Sequence, residues 1–179
     1  MLTAITAASG FPIQDRVPVP GPQGLTPPPM PEVAFHFNAP DKLAYTARLL
    51  RKAWGKGARV AVLAPTGDLD ELARQIWLIA PGDFVPHSRP GDPPATRRHS
   101  PLHLIDRLDP ADPDAAPACP VLVNLQADVP DGIHRFERVI EVVGLDEGDR
   151  QQARQRWRHY TGAGIEPVRH DLKQADAGG

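Results

Sequence analysis

The chain has 179 residues, 22 of them proline and 15 glycine, together about a fifth of the sequence against a usual share nearer an eighth. With 20 Lys+Arg against 22 Asp+Glu and a net charge of −2, it has no global field for nucleic acid or an anionic membrane, and its one cysteine, Cys119, excludes an internal disulfide framework or a multi-cysteine zinc cluster. Eight prolines fall in residues 1–31 and nine in 86–120, which leaves about 110 residues of ordinary globular sequence, enough for one domain and too few for two.

Residues 1–31 read as a disordered, proline-rich tail with no basic residue before Arg16 and no apolar stretch of signal-peptide length, and Met30 is an alternative start. The domain is expected over residues 32–172, interrupted by a proline-rich insert at 88–119 and followed by a frayed tail at 173–179.

Val33, Phe35 and Phe37 alternate as in a strand with one strongly buried face. Asn38 and Asp41 flank Pro40 in a helix-start pattern, and Leu43, Ala44, Ala47, Leu50 and Trp54 recur at helical steps until Gly55 and Gly57 stop the run. The nearly unbroken apolar run from Arg59 to Ala64 predicts a central strand covered on both faces. Thr66 or Asp68 is expected to cap a second helix, with Glu71 in capping-box spacing to Asp68, and Leu69, Leu72, Ile76 and Ile79 form its apolar stripe. Phe84 to His87 reads as a short extended piece, and within the proline-rich run Leu102, Leu104 and Ile105 suit a short edge strand. Further strands are expected at Val121–Leu125 and Val139–Val143, a short helix or turn between Asp131 and Phe136, a polar helix between Asp146 and Ala163, and a closing strand within Ile165–His170. Alternating strands and helices predict an α/β domain: a mainly parallel sheet flanked by helices, Rossmann-like in order.

A phosphate-binding loop is missing from this pattern. The turns Asn38–Asp41 and Pro65–Asp68 lack the glycines that let backbone amides approach a pyrophosphate, and each puts a carboxylate where the anion would sit. No cofactor or metal is expected. His99, His103 and Cys119 lie in the proline-rich stretch without a dependable scaffold, His36 and His87 read as structural residues, and Cys119 has no basic neighbour in sequence to activate it. The conspicuous feature is the last long helix, where Arg150, Arg154, Arg156 and Arg158 accumulate with no acid between Arg150 and Tyr160. Arg150, Arg154 and Arg158 form one stripe, which serves either as a solvated face or as an anion-binding surface, since guanidinium forks suit carboxylate and phosphate. Trp157 and Tyr160 beside it are either core or part of that surface.

Four features in this order carry a resemblance: the stretch from Val33 to Tyr45, Trp77 followed by Phe84-Val-Pro-His87, the strand Val121-Leu-Val-Asn-Leu125, and the arginine-rich closing helix. Together they resemble the chi subunit family of bacterial DNA polymerase III holoenzyme, over about residues 31–172 without the proline-rich insert. The resemblance implies a non-catalytic accessory subunit of the DNA-directed DNA polymerase, cytoplasmic and replisome-associated. It would link the clamp-loader complex, through the psi subunit, to the acidic C-terminal tail of single-stranded DNA-binding protein, which ends in an aromatic residue carrying the terminal carboxylate. By position, Arg150 and Arg154 resemble the family's tail-gripping cations, Val143 an apolar wall beside them, and Trp77 and Phe84 a partner surface for psi or a helicase. The alternative is a nucleotide-binding or enzymatic open α/β domain, with direct nucleic-acid binding disfavoured by the charge balance.

Overall fold

The computed structural model describes residues 30–79, 81–109 and 119–175. Residues 1–29 of the expected 1–31 tail, residues 110–118 of the expected insert and the last residues from 176 lie outside the described residues. The strands are β1 (Glu32–Ala39), β2 (Val60–Leu63), β3 (His87–Ser88), β4 (Leu102–Ile105), β5 (Val121–Asn124), β6 (Arg138–Gly144) and β7 (Val168–Asp171). The helices are α1 (Lys42–Gly55), α2 (Thr66–Ile79), α3 (Pro94–His99), α4 (Glu147–Gly162) and the single turn α5 (Leu172–Ala175). The seven strands form one sheet in the order β3-β4-β2-β5-β6-β1-β7, and every pair is parallel.

Two hydrophobic layers cover the sheet. Val60 and Val62 of β2 point to α1 and α2, where Leu50, Leu72 and Ile76 are buried, while Ala61 and Leu63 face the layer of Phe136, Ala153 and Tyr160. This is why β2 reads as an unbroken apolar run rather than an alternating one. β1 departs from its expected single buried face: Ala34 is as buried as Val33 and Phe35, because a parallel strand between β6 and β7 is covered on both sides.

The helix signals act as expected at α1, and α4 spans the predicted stretch. Asp41 caps α1 by accepting the Ala44 amide at 2.9 Å, and Gly57 ends it at φ +74°, donating to the Trp54 carbonyl at 2.8 Å. Asp146 caps α4 by accepting the Asp149 amide at 3.0 Å. The start of α2 differs. The helix already begins at Thr66, so Asp68 lies inside its first turn, and Glu71 binds Arg74 and Gln75 instead of closing a capping box.

The proline-rich insert is also corrected. It contains helix α3 and strand β4, and β4 is not an edge: it lies between β3 and β2 with all four residues buried, Leu102 and Leu104 facing α2. The two-residue β3 is the edge. Pro101 directly precedes β4 and no proline falls within Leu102–Ile105, so the tract leaves a gap where the ladder needs amide donors. At the other end of the sheet, fraying was expected from 173, but Leu172 packs on the core and opens α5, with the Lys173 amide donating to Asp171 at 3.1 Å.

Candidate functional site

At the end of the sheet carrying β1 and β7, Phe37, Arg154, Trp157, Arg158 and Arg169 line a concavity of about 270 Å³. Its aromatic floor continues inward: Phe35 stacks on Phe37 at 5.6 Å between centroids, and Trp157 lies 5.0 Å from Phe35 and 6.4 Å from Phe37. The Arg169 guanidinium sits 5.1 Å from the centre of the Phe37 ring. Three cations therefore surround an apolar floor, and no lining residue is acidic. The nearest carboxylates are Glu147, 2.9 Å from Arg154, and Asp171, 3.5 Å from Arg169. An arrangement of this kind suits a ligand carrying an aromatic group beside a carboxylate.

α4 presents this face because its opposite face is anchored in the core. Ala153, Arg156 and Tyr160 point inward. Arg156, 2% exposed, donates through Nε to Glu141 at 2.8 Å and through Nη1 to the Ala127 carbonyl at 2.7 Å. Glu141, 0% exposed, also accepts from the Tyr160 hydroxyl at 2.7 Å and from the Asn124 amide at 3.1 and 3.2 Å. Burial raises the Glu141 carboxyl pKa, against the pull of Arg156, Tyr160 and Asn124. Arg156 thus leaves the expected arginine surface and becomes a core residue. The signal was present in the sequence: it falls three residues after Ala153 and four before Tyr160, and Glu141 is the lone acid in an apolar strand.

The other expected site residues separate. Arg154 is exposed and lines the concavity. Arg150 stands one turn away, donating to the Asn38 side chain at 3.1 Å. Val143 is 0% exposed, packed in the layer with Phe35, Ala153 and Tyr160, so it stands behind the site and has no surface of its own to offer a ligand. The two aromatics of the helix also divide: Tyr160 is core, and the half-buried Trp157 belongs to the concavity. Phe37 and Arg169 were not singled out from the sequence, because only the β1–β7 pairing brings them beside α4.

Trp77 and Phe84 come together on a separate surface. They are 54% and 61% exposed, with ring centroids 5.3 Å apart, and Leu78 beside them is exposed as well. Paired aromatics left mostly in solvent form an apolar patch of the kind used for partner contact.

The helix starts that would hold a phosphate are filled by the chain's own carboxylates. Asp41 occupies that of α1 and Asp146 that of α4, while Asp149 accepts the Gly144 amide at 2.6 Å and pairs with Lys42 at 3.1 Å. Among the described residues no three His, Cys, Asp or Glu side chains gather into a metal site. His103 is buried with Nδ1 2.9 Å from the Ser88 hydroxyl, and burial pushes the Cys119 thiol up to about 11. Burial, helped by Arg59, lowers the His103 pKa to about 4. The unfolded chain takes up that proton near pH 6.5, the folded one only near 4, so this contribution is complete above pH 6.5 and is lost as pH falls between the two values. His103→Gln is expected to flatten the decline in stability between pH 7 and 4.5 by about 2 kcal/mol, measured by urea unfolding at each pH; an unchanged slope would contradict it.

The family model and the sequence relatives agree on one family. Residues 30–168 match the family model described as DNA polymerase III chi subunit, HolC. The chain belongs to the DNA polymerase III chi subunit family. DNA polymerase III subunit chi of Haemophilus influenzae is 27% identical over 118 residues, covering 62% of this chain and 73% of that protein. The Pseudomonas aeruginosa subunit chi is 26% identical over 144 residues, covering 73% and 87%. Among solved structures, the C-terminal domain of the DEAD-box protein Dbp5 shares the fold at TM-score 0.55 and 16% identity, covering 82% of this chain and 93% of that domain. Within the chi family match lie both the concavity liners Phe37, Arg154, Trp157 and Arg158 and the Trp77–Phe84 patch, whereas Arg169 falls one residue beyond it. The family assigns the chain to DNA polymerase III and hence to DNA replication. No helix among the described residues is long and apolar enough to cross a membrane.

Proposed function

We propose that this chi-family chain is a non-catalytic replication adaptor that captures the acidic C-terminal tail of single-stranded DNA-binding protein and links it to the clamp-loader complex. The observation that carries the reading is the concavity between α4, β1 and β7, where an aromatic floor is ringed by three arginines without an acidic lining residue. The terminal aromatic side chain of the tail would lie against Phe37 and Trp157, its carboxylate between Arg154 and Arg169, and its preceding aspartates toward Arg150 and Arg158. Such a short anchored peptide buries little area, so affinity of about micromolar Kd that weakens with salt is expected. Titration of the tail peptide against the Arg154→Ala variant tests the reading, and unchanged affinity would refute it.

The Trp77–Phe84 patch is proposed as the second surface, docking psi or another clamp-loader component, with a helicase as a competing occupant. Both rings are more than half exposed. Trp77→Ala and Phe84→Ala are therefore expected to shift the melting temperature by no more than about 2 °C while lowering recovery of the partner subunit in co-purification. Retained recovery would remove the patch from the proposal.

A further inference from the structure

Asn38 is the one described non-glycine residue with positive φ, at +65°. It follows the groove residue Phe37, where the β1–β6 register shifts between His36 and Ala39, an irregularity that re-aims a side chain. Its carboxamide faces two ways: Oδ1 accepts from the Arg150 guanidinium at 3.1 Å, and Nδ2 donates to Asp171 Oδ1 at 2.8 Å. Asp171 in turn lies 3.5 Å from Arg169, across the concavity from α4. Donation from Asn38 is the first cause holding the Asp171 carboxyl below its ordinary range, so the carboxylate is ionised and acceptor-only.

A carboxamide is suited to this place because it both accepts from a cation and donates to an anion. Aspartate would lose the donor and face Asp171 with like charge. Asparagine tolerates positive φ better than most side chains, but glycine adopts it at still lower cost, so the backbone alone does not call for a carboxamide. Nor is the link needed to pair the strands, because β1 pairs with β6 over Glu32–His36 and again at Ala39, and with β7 over Ala34–Phe37.

We infer that Asn38 is a positioning residue for the tail site, orienting Arg150 on α4 and Asp171, with its partner Arg169, on β7 so that the two cationic walls keep their spacing. This rests on the tail-binding reading above. The test is a double-mutant cycle read by peptide titration and melting temperature on the full chain. Asn38→Gly is expected to leave the melting temperature unchanged or slightly higher and to weaken tail binding about fivefold. Asn38→Asp should weaken it further, by about tenfold, since the new carboxylate engages Arg150 and repels the acidic peptide. In an Arg150→Ala background, Asn38→Gly should cost less than about twofold, because the group it orients is gone. If wild type binds the peptide and Asn38→Gly binds equally well, or if Asn38→Gly costs the same with and without Arg150, the inference is overturned while the tail-binding reading stands. A wild-type chain that ignores the peptide overturns both.

Discussion

Arg156→Ala is expected to destabilise the fold by about 3–5 kcal/mol. The residue is wholly internal, and its guanidinium satisfies Glu141 and the Ala127 carbonyl together. Removing it leaves a buried carboxylate without its countercharge, with only the Tyr160 hydroxyl and the Asn124 amide still donating. Burial already raises the Glu141 pKa, and loss of Arg156 raises it further. A carboxyl with a raised folded-state pKa costs stability above its unfolded pKa and costs less as pH falls and it becomes protonated. The deficit of Arg156→Ala should therefore shrink between pH 8 and pH 5, in denaturant midpoints taken at both. A loss below about 1 kcal/mol, or a deficit independent of pH, would contradict this account of the core. Because Ala153 and Tyr160 share the same helix face, the variant is also expected to loosen the helix that lines the concavity.

The neighbouring arginine should behave in the opposite way. Arg154 is 58% exposed and its pair with Glu147 is a surface pair, worth about 0–1 kcal/mol, so Arg154→Ala should unfold at nearly the wild-type temperature. Its effect should fall on binding. Losing one of the cations proposed to hold the carboxylate is expected to weaken binding of the tail peptide by about tenfold to a hundredfold, and Arg169→Ala by about tenfold, with smaller losses at higher ionic strength. Val143→Ala should differ from both, lowering stability through a core cavity, since it touches no solvent.

These two arginines, two residues apart, also show what was legible in the sequence. The elements were legible wherever local chemistry decides them: the helix start around Asp41, the stop at Gly57, and the double-sided apolar run of β2. The placement of β4 inside the sheet was not, because proline on either side of Leu102–Ile105 resembles a loop, and strand order depends on crossovers that no local pattern encodes. At the site, the helix and Arg154 were legible from charge spacing. Arg156 looked like its neighbours because the lone acid that claims it, Glu141, is 15 residues away on another element. Phe37, Arg169 and the bridging Asn38 were invisible as a group, since 133 residues separate Asn38 from Asp171 and only the β1–β7 register joins them.

The central claim is that the groove recognises a terminal carboxylate beside an aromatic side chain. It is tested most directly by calorimetric titration of the wild-type chain with the tail peptide of single-stranded DNA-binding protein in two forms, one with its natural carboxylate and one amidated. The account predicts binding near micromolar Kd for the natural form and at least about a tenfold loss on amidation, with the loss much reduced in Arg154→Ala. Equal affinity for the two peptides would contradict it.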